Sequence, residues 1–155
     1  MVTTEQITAA VNARCKTAMA LAGYAEPRCS SLNTEGPKRP ECITNISSHA
    51  AVEAGGWYKR VVSVLIMFFP EDEDAPYSEI KRMSDCLTRA FLNPIEVDGY
   101  RMLPNAAGIT AEPDVDHDIL DVTLSYEFDL SEDEIALDTS DEQDMEELIY
   151  SYKEE

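Results

Sequence analysis

His49 and His117 are the only histidines in the chain, and neither has the neighbours that general-base or nucleophile chemistry requires. No nucleophile elbow, HExxH helix or triad-like setting surrounds them. In "EPDVDHD", Asp114, Asp116 and Asp118 stand at alternate positions, as carboxylates do in a cation loop. An EF-hand would need Gly where Ile119 stands and Glu where Ser125 stands, so the stretch reads as a solvated turn before a strand. The acids of "PEDEDAP", residues 70 to 76, precede a helical pattern, where they complement the positive end of the dipole without any metal. Gly55 and Gly56 lack the Lys-Ser/Thr of a phosphate loop. Cys15, Cys29, Cys42 and Cys86 show neither CxxC nor Cys/His metal spacing, and no secretory leader is evident, so reduced thiols in a cytosolic protein are expected. The residues therefore lead to no catalytic, cofactor or metal site.

What remains is charge. The chain carries 31 acidic and 12 basic residues, a formal net charge of -19. Glu127 to Glu155 holds 13 of those acids and one of the bases, leaving -7 for residues 1 to 126. Such a balance repels duplex DNA, whose binding draws on clustered Lys and Arg. Two basic spots stand out against it. In "GPKRPECITNIS" Lys38 and Arg39 lie between Pro37 and Pro40, which hold them in an extended loop. Trp57, Tyr58, Lys59 and Arg60 form an aromatic-basic quartet, an arrangement that stacks on single-stranded bases and equally forms the wet end of a long strand.

The elements that position these residues follow from periodicity. Thr3 or Thr4 can cap a helix to about Leu21, with Ile7, Val11, Cys15, Ala18 and Ala22 on one stripe. Residues 22 to 40 have the Gly, Pro, Ser and Asn density of a loop. Residues 41 to 48 read as a strand, "EAGG" as a turn, and "WYKRVVSVLIMFF" as a second strand ended by Pro70. From Val61 onward that strand is apolar on both faces apart from Ser63, so it is expected to be central and covered on both sides. Ile80, Met83, Leu87 and Phe91 mark a helix that Asn93-Pro94 stops. "IEVDGYRML" is a hairpin with an Asp98-Gly99 turn, and "NAAGITAEP" a further strand. Leu120, Val122, Leu124, Tyr126, Phe128 and Leu130 alternate with polar residues in a final strand with one buried face. The longest apolar run, Val61 to Phe69, is too short to span a bilayer. The order predicts an α+β fold: a largely antiparallel or mixed sheet with an N-terminal helix and one central helix packed on it. Residues 1 to 130 form the domain and 131 to 155 an acidic extension. In that extension Met145, Leu148, Ile149 and Tyr152 can form one apolar stripe if something covers it.

The succession "GPKRPECITNIS", "GGWYKRVVSVLIMFFPEDED", a helix, "VDGYRML" and "LDVTLSYEFDL" resembles the tail terminator family of tailed phages and prophage tail-like particles. The likeness covers roughly residues 5 to 130. Gly36, Lys38, Arg39 and Pro40 match the family's Gly-x-Lys/Arg-Pro turn. Tyr58 and Arg60 match its basic-aromatic strand start, and Phe69 with Pro70 its strand end. The resemblance implies a structural protein rather than an enzyme: a homohexameric ring that caps the tail tube protein, stops its polymerisation and offers a surface to the head-side connector or neck protein. It implies assembly in the host cytoplasm, residence in the virion tail, no cofactor and no membrane, with DNA passing an acidic lumen without specific binding. Lys38, Arg39, Tyr58 and Arg60, with Met145, Leu148, Ile149 and Tyr152, are the candidate interface residues, the two loop cations serving as the positive half of a contact with an acidic neighbour. Another neck or tail-completion protein, or a small-molecule-binding regulatory α+β domain, is the alternative.

Overall fold

The computed structural model describes residues 1–31 and 35–136. Thr3 accepts from the backbone N–H of Gln6 while the Gln6 side chain accepts from the N–H of Thr3, a reciprocal cap that starts α1 (Thr4–Leu21). The expected stripe Ile7, Val11, Cys15, Ala18 and Ala22 is buried. A loop then leads through β1 (Cys29–Ser31) to β2 (Glu41–Val52), β3 (Tyr58–Phe69) and α2 (Tyr77–Leu92). The chain continues through β4 (Ile95–Val97), β5 (Tyr100–Met102), β6 (Thr110–Asp114), β7 (Ile119–Leu130) and the single turn α3 (Glu132–Ile135).

The main sheet has the order β1-β2-β3-β7-β6. β1 runs parallel to β2, and every other neighbouring pair is antiparallel. The mixed α+β architecture is the one the sequence led to. β4 and β5 form a separate hairpin whose Asp98 and Gly99 both take positive φ, as a tight two-residue turn demands.

Both long helices pack on one face of the sheet. There Val62, Val64, Ile66 and Phe68 of β3 meet Leu120, Val122, Leu124 and Tyr126 of β7, under Ile80, Met83, Leu87 and Phe91 of α2. Arg14 of α1 reaches across to α2, donating to the carbonyls of Ala90 at 2.7 Å and Pro94 at 2.9 Å. A cation thus satisfies carbonyl groups that the end of α2 leaves without helical partners.

Three expectations need correction. β3 is central but covered on one side only: Val61, Leu65, Met67 and Phe69, on the other face, are half-buried and Ser63 is exposed. Its two-sided apolar pattern does not report where the helices go, because α1 and α2 both return to the same face. β2 extends beyond residue 48 to Val52, since β3 pairs with it without interruption to Tyr58. The loop from residue 22 to 40 contains β1, whose Cys29–Ser31 strand exists only through its pairing with Cys42–Thr44.

Candidate assembly surface

The two basic spots lie at opposite ends of β3. Eleven steps separate Tyr58 from Phe69, which at ~3.3 Å per residue is about 36 Å.

At one end, the Gly36–Pro40 turn folds against the strand end of Phe69 and Pro70. The Arg39 guanidinium lies 5.5 Å from the Phe69 ring centre, donates to the Pro70 carbonyl at 3.2 Å and pairs with Glu73 at 2.7 Å. Lys38 is exposed, and its backbone N–H donates to Glu41 at 2.7 Å. Glu41 is buried and also accepts from the Ser30 hydroxyl at 2.8 Å, so one carboxylate ties the turn to β1. Beside this corner the buried Glu79 accepts from the N–H groups of Glu71 and Asp72, both at 3.0 Å, and from the Tyr24 hydroxyl at 2.6 Å. Burial and the adjacent Glu79 carboxylate push the Tyr24 hydroxyl pKa upward. No sequence signal marks Glu79 as the residue that fixes the "PEDED" loop, because its partners there are backbone N–H groups that any residue type but Pro presents.

At the other end, Arg60 is only 6% exposed. Its guanidinium donates to Ser48 at 2.8 Å, to Thr4 at 2.7 Å and to the Val2 carbonyl. It fastens the start of α1 to the sheet and faces inward. Lys59 lies on the opposite face between Glu127 at 3.2 Å and Glu53 at 3.4 Å, and these carboxylates, Glu127 foremost, raise its pKa. Tyr58 is half-buried. Trp57 is 71% exposed and Val52 is 66% exposed. Ala50, Val52, Tyr58, Lys59, Leu130 and Ile135 are among the residues that surround a depression of about 210 Å³ beside them. Met145, Leu148, Ile149 and Tyr152 lie outside the described residues.

The helix-free face of the sheet carries a shallow groove of about 320 Å³. Asn45, Ser47, Ser63, Asn105, Thr123 and Ser125 line it, and none of its lining residues is charged. In a chain of net charge -19 this is a neutral, hydroxyl- and amide-rich area flanked by the apolar Leu65. The Asp114–Asp118 turn is turned on itself: Asp114 accepts from the N–H groups of Asp116 and His117, and its carboxylate meets the His117 ring at 2.8 Å. That contact lowers the Asp114 pKa and raises that of His117. Among the described residues no group of His, Cys, Asp or Glu is placed to hold a metal ion, and no helix is long and apolar enough to cross a membrane. All four cysteines are free thiols, and burial raises the pKa of Cys15.

No protein-family profile matches the chain, and no curated protein sequence is similar to it. Solved structures similar in shape include the following two. One is 16% identical, with 83% of this chain and 96% of that one covered at a TM-score of 0.45. The other belongs to the virion of a native gene transfer agent particle. It is 15% identical, with 79% of this chain and 92% of that one covered, again at a TM-score of 0.45.

Proposed function

We propose that this chain is a structural tail terminator: a ring-forming protein, hexameric by the family resemblance, that caps the tail tube, stops its polymerisation and presents a joining surface to the head-side connector. It acts by contact rather than by catalysis. The observation that carries the reading is the meeting of two of the motifs on which the resemblance rests. The Gly36–Pro40 turn and the Phe69-Pro70 strand end are 30 residues apart in sequence, yet Arg39 stacks on Phe69 and donates to Pro70. The motifs therefore belong to one structural corner, which supports the resemblance.

The neutral groove on the open sheet face supports the same reading, since a flat uncharged area lets an acidic protein approach a neighbour with little repulsion. An acidic wall around a central passage would also keep DNA from adhering while it moves through. The chain would assemble in the host cytoplasm and remain in the virion tail.

The test is to add the purified chain to polymerising tail tube protein and to measure tube lengths by electron microscopy. Tubes that stop growing and carry a ring at one end are the expected result. Tubes that lengthen as if nothing had been added, with the chain folded and in excess, overturn the assignment. The groove also favours a second reading, a regulatory domain for a small uncharged polar molecule; a ligand that raises the thermal midpoint and is lost on Ser63→Leu would favour that one.

A further inference from the structure

We propose that the outer border of β2 from Ser48 to Val52 is the seat of a second copy of this chain, which adds a strand to the sheet there. The proposal deepens the ring reading above and rests on it only for the claim that the chain self-associates.

Backbone direction comes first. The N–H of Cys42 donates outward to the Arg28 carbonyl, and β1 pairs with β2 on that side through Thr44. N–H and C=O of one residue point the same way in a strand, and successive residues alternate. The backbone groups of Ser48, Ala50 and Val52 therefore point away from β3. Among the described residues nothing pairs with them, because β1 ends at Ser31, opposite Thr44.

Sheet borders of this kind are templates for another strand, and proteins ordinarily blunt them with Lys, Pro, a bulge or a covering element. Among the described residues this one has none of those devices. Residues 42 to 52 contain no Asp, Glu, Lys, Arg or Pro, and β2 pairs with β3 in unbroken register from Glu41 to Val52. Beside the border lies a largely apolar depression around Ala50, Tyr58 and Leu130, lined also by Lys59, whose charge Glu53 and Glu127 pair within the chain; alternate side chains of an added strand would settle into it.

Charge selects the occupant. A second copy brings the same -19, so copies meet at least cost where neither presents a carboxylate to the other's carboxylates. A basic partner would instead be drawn to the acidic remainder of the surface. The uncharged border fits an acidic neighbour, and this chain is one.

The backbone direction also supplies a clean test. The N–H of Ala50 bonds nothing within the described chain, so Ala50→Pro removes a donor that only a neighbour would use, at a border position where Pro is tolerated. Ala50→Lys keeps the N–H but adds the charge that borders use to repel strands. Both are compared with wild type by light scattering across a dilution series, with circular dichroism and thermal unfolding as folding controls. Wild type should self-associate, and each variant should fold with an unchanged midpoint and associate about tenfold or more weakly. If Ala50→Pro does not fold, Ala50→Lys and amide exchange on the wild type decide. The amides of Ser48, Ala50 and Val52 should exchange slowly only in the associated state.

Variants that associate like wild type overturn the border while leaving the ring reading intact. A wild type that stays monomeric at every concentration overturns both. Slow exchange of the three amides in the dissociated chain would mean that a segment of the same chain covers the border, and equal fast exchange in both states that nothing does; either result overturns the proposal.

Discussion

The two ends of β3 are built on opposite plans. At the Pro70 end, charged groups converge and have partners within the chain: Arg39 with Glu73 and Pro70, Glu41 with Ser30 and Lys38, and Glu79 with Tyr24 and two backbone N–H groups. At the hairpin end the one buried cation, Arg60, is directed inward to α1, while Trp57 and Val52 stand exposed beside backbone groups that have no partner among the described residues. The difference teaches which end is finished. A corner whose polar groups are satisfied internally has little left to offer a neighbour, since a buried group deprived of its partner costs about 1–3 kcal/mol. An uncharged border with exposed apolar side chains has most of its binding capacity unspent.

Breaking the finished end should cost the most. Glu79→Leu would strand the N–H groups of Glu71 and Asp72 and the Tyr24 hydroxyl, and we expect a loss of about 3 kcal/mol in denaturant unfolding. A loss below about 1 kcal/mol would show that water replaces the carboxylate and that the corner is not closed.

Arg39→Ala should cost less, about 1 kcal/mol, because its partner Glu73 is largely exposed and the contact with Phe69 is a single cation–π pair. Salt should reduce the difference from wild type, since the ion pair is partly screened. Lys38→Glu, at an exposed side chain, should leave stability unchanged. If it nevertheless weakens docking to the tail tube, the finished end has one cation still directed outward.

At the hairpin end the pattern should invert. Trp57→Ala should move the unfolding free energy of the dissociated chain by no more than about 0.5 kcal/mol, as for other exposed positions, while lowering self-association measured by sedimentation. A large loss of monomer stability would mean that the indole is packed within its own chain, and the contrast between the ends would fail.

The smallest effect concerns α3. The Ser131 N–H and the Tyr100 hydroxyl hold the Glu134 carboxyl down at about 2, below its ordinary 4.5. A depressed carboxyl contributes to the folded state above its unfolded pKa, and the contribution disappears as pH falls through the folded one. Protection from amide exchange within residues 131 to 135, taken relative to the intrinsic rate at each pH, should therefore be unchanged above about pH 5 and fall from about pH 4.5 down to about 2. Glu134→Ala, which removes the accepting side chain, should lack this protection at every pH. If acid leaves the wild type unaltered in this window, the capping box is not what holds α3.

Much of the framework was legible in the residues themselves. Period-two alternation from Leu120 to Phe128, the stripe Ile80, Met83, Leu87 and Phe91, the Thr3 cap and the Asp98-Gly99 turn each follow from local geometry, because strand and helix periodicity and turn sterics are properties of neighbouring residues. The α+β order was equally open to inspection. The tertiary structure alone decided which face of β3 the helices cover. It also created β1 by a pairing between distant segments, turned Arg60 inward, drew Arg39 onto Phe69 and gave Glu79 its backbone partners. Each of these is a contact between residues far apart in the chain, and such contacts leave no local period or spacing from which to read them. The uncharged run from Cys42 to Val52 lies between the two cases: its composition was visible, but that part of it forms a border without a partner among the described residues follows only from the pairing of β1.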